Sequence, residues 1–345
     1  FSARYVPISL YYILTLLVGF VMMISVFNVL RKKKDIFFVL NFFVLSMFFQ
    51  SILAIAQFFR GQSIGLSLFG EQLISAGISG VAKTIIHGEK HIRSYGTFPH
   101  PNILAFFLLV ALAATSYLIA NSKNRHYKIY LYILSAFILL AILFTFSRVV
   151  WIMTVVFLLA TLLQGKVSVK KVANVFRSRF LSISIVFLVA AVSFGAVYFW
   201  SDIWWRINPF AVSTWDSWYD RIVVIQKTFI LIKEHLVFGA GAGNFVIEIA
   251  DLLIGYPLWM SEPVHNTYLL VLAEIGLGGL VSYLFVLYYI YKGAGVVPFS
   301  FKCIFWFFVF NMFFDHCFWD IRQIVYLFFF FAGLIMVFNR NKVYD

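Results

Sequence analysis

Long apolar runs, one after another with short polar links between them, most restrict what this chain can fold into. They cover about 7–30, 36–59, 101–120, 129–146, 149–163, 180–199, 266–291, 303–318 and 321–338. A helix needs roughly 20 predominantly apolar residues to cross the hydrocarbon layer of a bilayer, and these runs meet or approach that length. The run at 149–163 is short, and spans only if its ends lie in the interface or its first turn tucks into a bundle. No soluble core of this size hides so much side chain. Apolar residues make up 63% of the chain, against about 45–50% in ordinary soluble domains. We therefore expect an all-α polytopic membrane protein, a single integral membrane domain over 1–345, with about nine transmembrane helices.

The net charge of +13 does not describe a nucleic-acid binder, because the basic residues sit in short blocks between the apolar runs. These are "RKKK" at 31–34, "KNRHYK" at 123–128, and the stretch 166–179. Basic links of this kind mark the cytoplasmic side. With Phe1 outside and all nine runs spanning, the blocks fall inside together with Lys292, Lys302, Arg340 and Lys342. The stretch 166–179 is weakly amphipathic and suits contact with anionic headgroups. Cys303 and Cys317 lie at or in apolar runs, where a small hydrophobe is expected, and they make neither a disulfide framework nor a thiolate metal site. The chain starts at Phe1 with no basic leader and no small-residue cleavage pattern. We expect further sequence, with further spans, upstream of it.

In this topology two larger extracytoplasmic segments stand out. The first, 60–100, ends in "IIHGEKHIRSYGTFPHPN". The second, 200–264, opens with "WSDIWWRINPF", whose Trp residues suit a membrane interface. From Arg221, polar pairs at Gln226–Lys227 and Lys233–Glu234 recur seven residues apart, which predicts a helix with one polar stripe lying at the membrane surface. "GAGAGN" at 239–244 lacks the preceding strand and following Lys of a nucleotide loop, and reads as a flexible reversal before a short helix from Phe245 to about Ile254. Pro257 and Pro263 frame a turn before the next span.

Within "SEPVHNTYLLVLAEIGLGGL" (261–280), His265 and Asn266 directly precede a long apolar helix. Histidine exchanges a proton near neutral pH and is a natural general base; the alternative is an interfacial, hydrogen-bonded side chain. An ionisable group near the middle of a span, such as Glu274, is a functional candidate by default. Nine residues of helix place it on the face opposite His265, so a partner on another helix is favoured over catalysis, with Gly276 and Gly279 allowing close approach. Arg148, at a turn between two runs, either grips phosphate through its fork of donors or snorkels to headgroups. Arg221 either binds an anion or pairs with Asp220 or Asp216. Arg93, with His91 and His100, binds phosphate or sugar, or holds its own loop. Asp315, His316 and Asp320 surround the last outward turn, but their spacing matches no strong zinc signature, and helix-end hydrogen bonding is favoured. Neither a metal nor a nucleotide cofactor is called for.

The succession "RSYGTFPHPNILA", "TFSRVVW", "DRIVVIQKTFILIKEHLVFGAGAGNF" and "VHNTYLLVLAEIGLGG" resembles the O-antigen ligase and polymerase family, from about residue 90 to the end. Each piece is modest alone; their order, spacing and shared outward placement carry the resemblance. It implies a GT-C-like glycosyltransferase bundle in the bacterial cytoplasmic (inner) membrane, with its active site facing the periplasm or exterior. The donor would be an undecaprenyl-diphosphate-linked glycan, and the acceptor another glycan or the lipid A core of lipopolysaccharide. Membrane lipids and a chain-length regulator are the further expected partners in polysaccharide and cell-envelope assembly. By motif, the family's functional histidine and two arginines correspond to His265, Arg148 and Arg221. Arg93, His100, Asn266 and Glu274 are then candidates for substrate binding. This chain departs from the pattern at Pro263, two residues before His265, where ligases often carry a second histidine, and in its nine visible spans. The resemblance implies a metal-independent transfer in which His265 takes the acceptor proton and the arginines neutralise the departing diphosphate. Ligase and polymerase stay unseparated, and a lipid-linked glycan flippase or a non-catalytic assembly scaffold are the alternatives.

Overall fold

The computed structural model describes residues 3–86, 88–164, 212–294 and 297–343, and it is mostly helical. The expected span at 180–199, the amphipathic stretch 166–179 and the Trp-rich opening of the second large segment lie outside the described residues. In chain order the helices are α1 (Val6–Val29), α2 (Lys33–Arg60), α3 (Pro101–Asn121), α4 (Arg125–Phe144), α5 (Arg148–Gln164), α6 (Val212–Glu234), α7 (Phe245–Leu252), α8 (Thr267–Ala294), α9 (Phe299–Asn311), α10 (Cys317–Asp320) and α11 (Arg322–Val343). Among the described residues, six of them, α1 to α4, α8 and α11, are long and apolar enough to cross a membrane. With α5 and α9 as shorter apolar helices, this is the build of a multi-pass membrane protein. The run expected as a span at 303–318 is corrected. Pro298, which has no N–H to offer a helix, precedes α9, and the helix stops at Asn311, leaving Asp315 and His316 in a turn.

The chain divides into two compact units, residues 1–36 with 210–345, and residues 37–209. The reason is visible in α1, which packs on α11 and so brings the two ends of the chain together. Small residues permit that approach: a Cβ on Gly333 would stand 2.8 Å from the Met23 carbonyl, and one on Gly19 would overlap the Phe329 ring. Arg340 near the end of α11 donates to the Phe27 and Leu30 carbonyls at 2.7 Å each, satisfying acceptors that the end of α1 leaves open.

The second unit holds most of α2, then α3, α4 and α5. Its polar segment after Arg60 contains an antiparallel hairpin, β1 (Lys83–Ile86) and β2 (Glu89–Ile92), with Thr84 opposite His91. Buried Glu71 organises the preceding loop by accepting from the amides of Ile64, Gly65 and Leu66 and from Gln57. Burial works to raise its pKa, but these four bonds outweigh that and hold it below the usual value. After β2 the chain runs along the end of α4, where the Ser94 amide donates to the Phe144 carbonyl.

In the first unit α8 is broken at Gly276, whose φ of 68° interrupts the helix. The break is filled by the "GAGAGN" turn, which is closely packed and not the flexible reversal expected. Ala240 and Gly241 donate to the carbonyls of Ala273 and Glu274, and Leu277 donates to Leu236. Gly239, Gly241 and Gly243 all have positive φ, and a Cβ on Gly239 would lie 2.2 Å from the Glu274 backbone. Gly276 therefore admits a strand of backbone, while a Cβ on Gly279 would meet Ile275 of its own helix. Asn244 ties this turn to α1 by accepting from the Tyr5 amide at 2.8 Å.

Gly239→Ala combines a backbone clash with a left-handed φ. It should cost about 3 kcal/mol or more, seen as a fall in the thermal unfolding midpoint in detergent. Gly255→Ala, at φ 91° but with open space around it, should lose only about 1–2 kcal/mol.

Candidate active site

The first unit carries a cavity of about 300 Å³ that brings two of the expected residues, His265 and Arg221, together. It is lined by Asp220, Arg221, Val224, Trp259, Met260, Glu262, Pro263 and His265. Arg221 does not open its helix as expected. α6 begins at Val212, so the arginine stands well inside it, and buried Val223 and Val224 fix the neighbouring face in the core. On the other wall, residues 257–266 form an irregular, largely exposed segment anchored to the core by buried Met260 and Val264, with a single 3-10 turn at Leu258–Met260. That anchoring leaves His265 half-buried and Glu262 exposed at the rim.

His265 packs against His316, ring centroids 5.3 Å apart and planes at 90°. The family pattern's second histidine position holds Pro263 here; the imidazole beside His265 arrives instead from the turn before α10. His316 Nδ1 lies 2.7 Å from Asp320 Oδ2, and its Nε2 lies 4.0 Å from Asp315 Oδ1. Burial pulls the His316 pKa down, but the charge and hydrogen bond of Asp320, with Asp315 and Glu262 adding, prevail and lift it to about 9. The sequence shows Asp315, His316 and Asp320 as a polar group, yet nothing local announces that it meets His265, some 50 positions away. Asp315 does perform the helix-end role expected, accepting from the Cys317 amide at 3.2 Å.

Asn266 is the first-turn cap of α8: its Oδ1 accepts from the Leu269 amide at 2.9 Å and its Nδ2 donates to the Phe313 carbonyl at 3.3 Å. Glu274 is 2% exposed and has the partners on other elements that its helical phase called for. Its carboxyl oxygens accept from the amides of Gly243 (2.7 Å) and Phe245 (3.3 Å) and from Trp319 Nε1 (2.6 Å). It does not line the cavity of Arg221 and His265.

The remaining candidates belong to the second unit. Arg93, 6% exposed, donates from Nε to the Thr145 carbonyl and from Nη2 to Asn102 Oδ1, both at 2.7 Å, which is the loop-holding alternative weighed for it. His100 caps α3, its Nδ1 accepting from the Asn102 amide at 3.2 Å. Arg148 is half-buried as the first residue of α5, after a tight turn in which Phe146 takes a φ of 50°. A bulky residue rarely adopts that conformation. Here the ring is fixed by stacking on Phe58 and packing against Trp151.

Two substitutions separate the parts of the Glu274 cluster. Glu274→Gln places an amide N–H against donors and should cost about 3 kcal/mol, whereas Trp319→Phe removes one donor and should cost about 1–2 kcal/mol. Chemical denaturation in detergent micelles checks both.

No curated protein matches the chain. Residues 133–284 match the model of a family described as O-antigen ligase, a narrower stretch than the resemblance from about 90 to the end. It contains Arg148, Arg221, His265 and Glu274 and stops before His316. Over that matched region the chain is similar to the O-antigen ligase family, which supports the resemblance read from its motifs.

Proposed function

We propose that this protein is a GT-C-type glycosyltransferase of the bacterial inner membrane. In this reading it moves a glycan from undecaprenyl diphosphate to a glycan or lipid A core acceptor on the periplasmic face. The observation that carries the reading is the shared cavity of His265 and Arg221, a proton acceptor and a phosphate-gripping cation facing one space. His265 takes the proton of the acceptor hydroxyl as its oxygen bonds to the anomeric carbon. The bond from that carbon to the diphosphate oxygen breaks, and the leaving diphosphate keeps the electron pair. Arg221 meets the growing negative charge with paired donors, the kind of fixed electrostatic help worth several kcal/mol in a preorganised site. Asp220 and Glu262 add acceptors suited to sugar hydroxyls, and Trp259 adds an aromatic surface.

A second feature of the same unit supports a lipid-linked donor. An apolar groove of about 630 Å³ runs along α8 and α9, lined by residues including Asn266, Tyr268, Leu284, Tyr291 and Trp306. It starts at the residue next to His265 and is suited to a polyprenyl tail. Arg148, in the second unit, is proposed to bind phosphate on the strength of its motif alone, within the matched region. Asn266 and Glu274 serve as positioning residues in this account, one capping α8 and one holding its break. Arg93 and His100 are proposed to shape the loop beside Arg148 through Thr145 and Asn102.

In proteoliposomes supplied with the lipid-linked donor and its acceptor, His265→Gln should lower the rate by about 10²–10⁴. Arg221→Lys keeps the charge but loses the fork geometry, and should slow transfer at saturating donor. Full activity in His265→Gln would remove the histidine from the mechanism. Mass spectrometry separates transfer, seen as a longer glycan, from simple relocation of an unchanged substrate.

A further inference from the structure

The Asp320–His316 pair lies outside the stretch that matches the family, yet it stands directly against His265. Its position is fixed from several sides. The Thr267 amide donates to the Met312 carbonyl at 2.8 Å, and its hydroxyl donates to the Asp315 carbonyl at 2.7 Å. With the Asn266 bond to Phe313, these contacts staple the two residues after His265 to the turn that carries His316. The side chain of His316 is 18% exposed and that of Asp320 10%. Asp320 Oδ2 is engaged by His316, while its Oδ1 is buried with no hydrogen-bond partner among the described residues. A carboxylate so enclosed is costly unless a cation faces it, and His316 is the group in position to supply one.

We propose that the Asp320–His316 pair is a positioning element for His265, fixing the ring that His265 packs against and setting the charge beside it. This rests on the reading of His265 as the base. The groups around the pair are mainly acidic. Asp315 and Glu262 act on His316, Asp320 also acts on Tyr12 and Glu274, and Asp220 and Arg221 share the cavity with His265. A bare carboxylate against His265 would favour its charged form and keep it protonated to higher pH. A protonated His316 between them offsets that pull, so that His265 is released to accept a proton. The sign follows directly: removing the positive charge at 5.3 Å makes His265 keep its proton to higher pH.

The test is an NMR titration of histidine-labelled protein in nanodiscs, with the His265 resonance identified by its loss in His265→Gln. In His316→Gln the His265 midpoint should rise by about one pH unit or more, while His316→Lys, which restores a cation, should return it close to the wild-type value. The ascending limb of kcat/KM should move the same way, giving about a tenfold loss one pH unit below the wild-type midpoint, with the high-pH plateau largely kept. A merely structural role would lower the plateau and leave the limb in place. Asp320→Asn supplies a second readout, in which the titration of His316 itself should fall by at least about one pH unit. A His265 midpoint unmoved in His316→Gln overturns the proposal, as does an unmoved His316 midpoint in Asp320→Asn. Because the titration needs no substrate, it is independent of the transfer assay; full activity in His265→Gln would end the base reading and leave the measured coupling standing.

Discussion

A single buried carboxyl group, that of Glu274, holds the first unit in the shape its cavity requires. α8 is broken two residues after it, and a broken helix leaves backbone groups without partners in an apolar setting. The "GAGAGN" turn supplies donors to the Ala273 and Glu274 carbonyls, and the Glu274 side chain in turn accepts from Gly243 and Phe245. The same side chain takes the indole N–H of Trp319. One residue thereby joins the turn after α6, the start of α7, the first half of α8 and α10. Since Asp320 follows Trp319 directly and His316 lies three residues before it, the anchoring of α10 also sets the group that meets His265.

The polar chemistry of this unit thus comes in two layers with different tasks. The inner layer, Glu274 with its three donors and Asn244 with the start of α1, satisfies backbone groups and is closed to ligands by geometry. The other layer, Arg221, Glu262 and His265, lines a cavity, with His316 and Asp320 behind it. The distinction is physical: a carboxyl oxygen already taking two N–H bonds has little left for a substrate, whereas a half-buried imidazole at a cavity wall can exchange its proton.

Much of the membrane architecture was legible because apolar length is a strong signal. The expected runs at 7–30, 36–59 and 101–120 agree with α1, α2 and α3 to within three residues at each end. Polarity within a run was harder to place. The run was drawn to 318 because the turn at 312–316 is itself rich in Phe and Met, although α9 ends at Asn311. The lower boundary of α6 was misread at Arg221, since Trp, Ser and Asp before it resemble a loop although they continue a helix. The pairing of His265 with Arg221 was accessible through motif order. The contact with His316 was not, because it depends on how the end of α9 folds back on the start of α8, a tertiary contact that no local period records. Glu274 lay between these cases: helical phase excluded a contact with His265 and demanded an outside partner, but could not name Trp319 or Gly243.

The most direct measurement of the central claim is a cryo-EM structure of the protein in nanodiscs with a lipid-linked glycan whose bridging oxygen is replaced by a methylene, so that transfer is blocked. The account predicts diphosphate density against the Arg221 guanidinium, with the first sugar beside His265 and the lipid tail along α8 and α9. A well-ordered donor bound elsewhere, with that cavity unfilled, would contradict it.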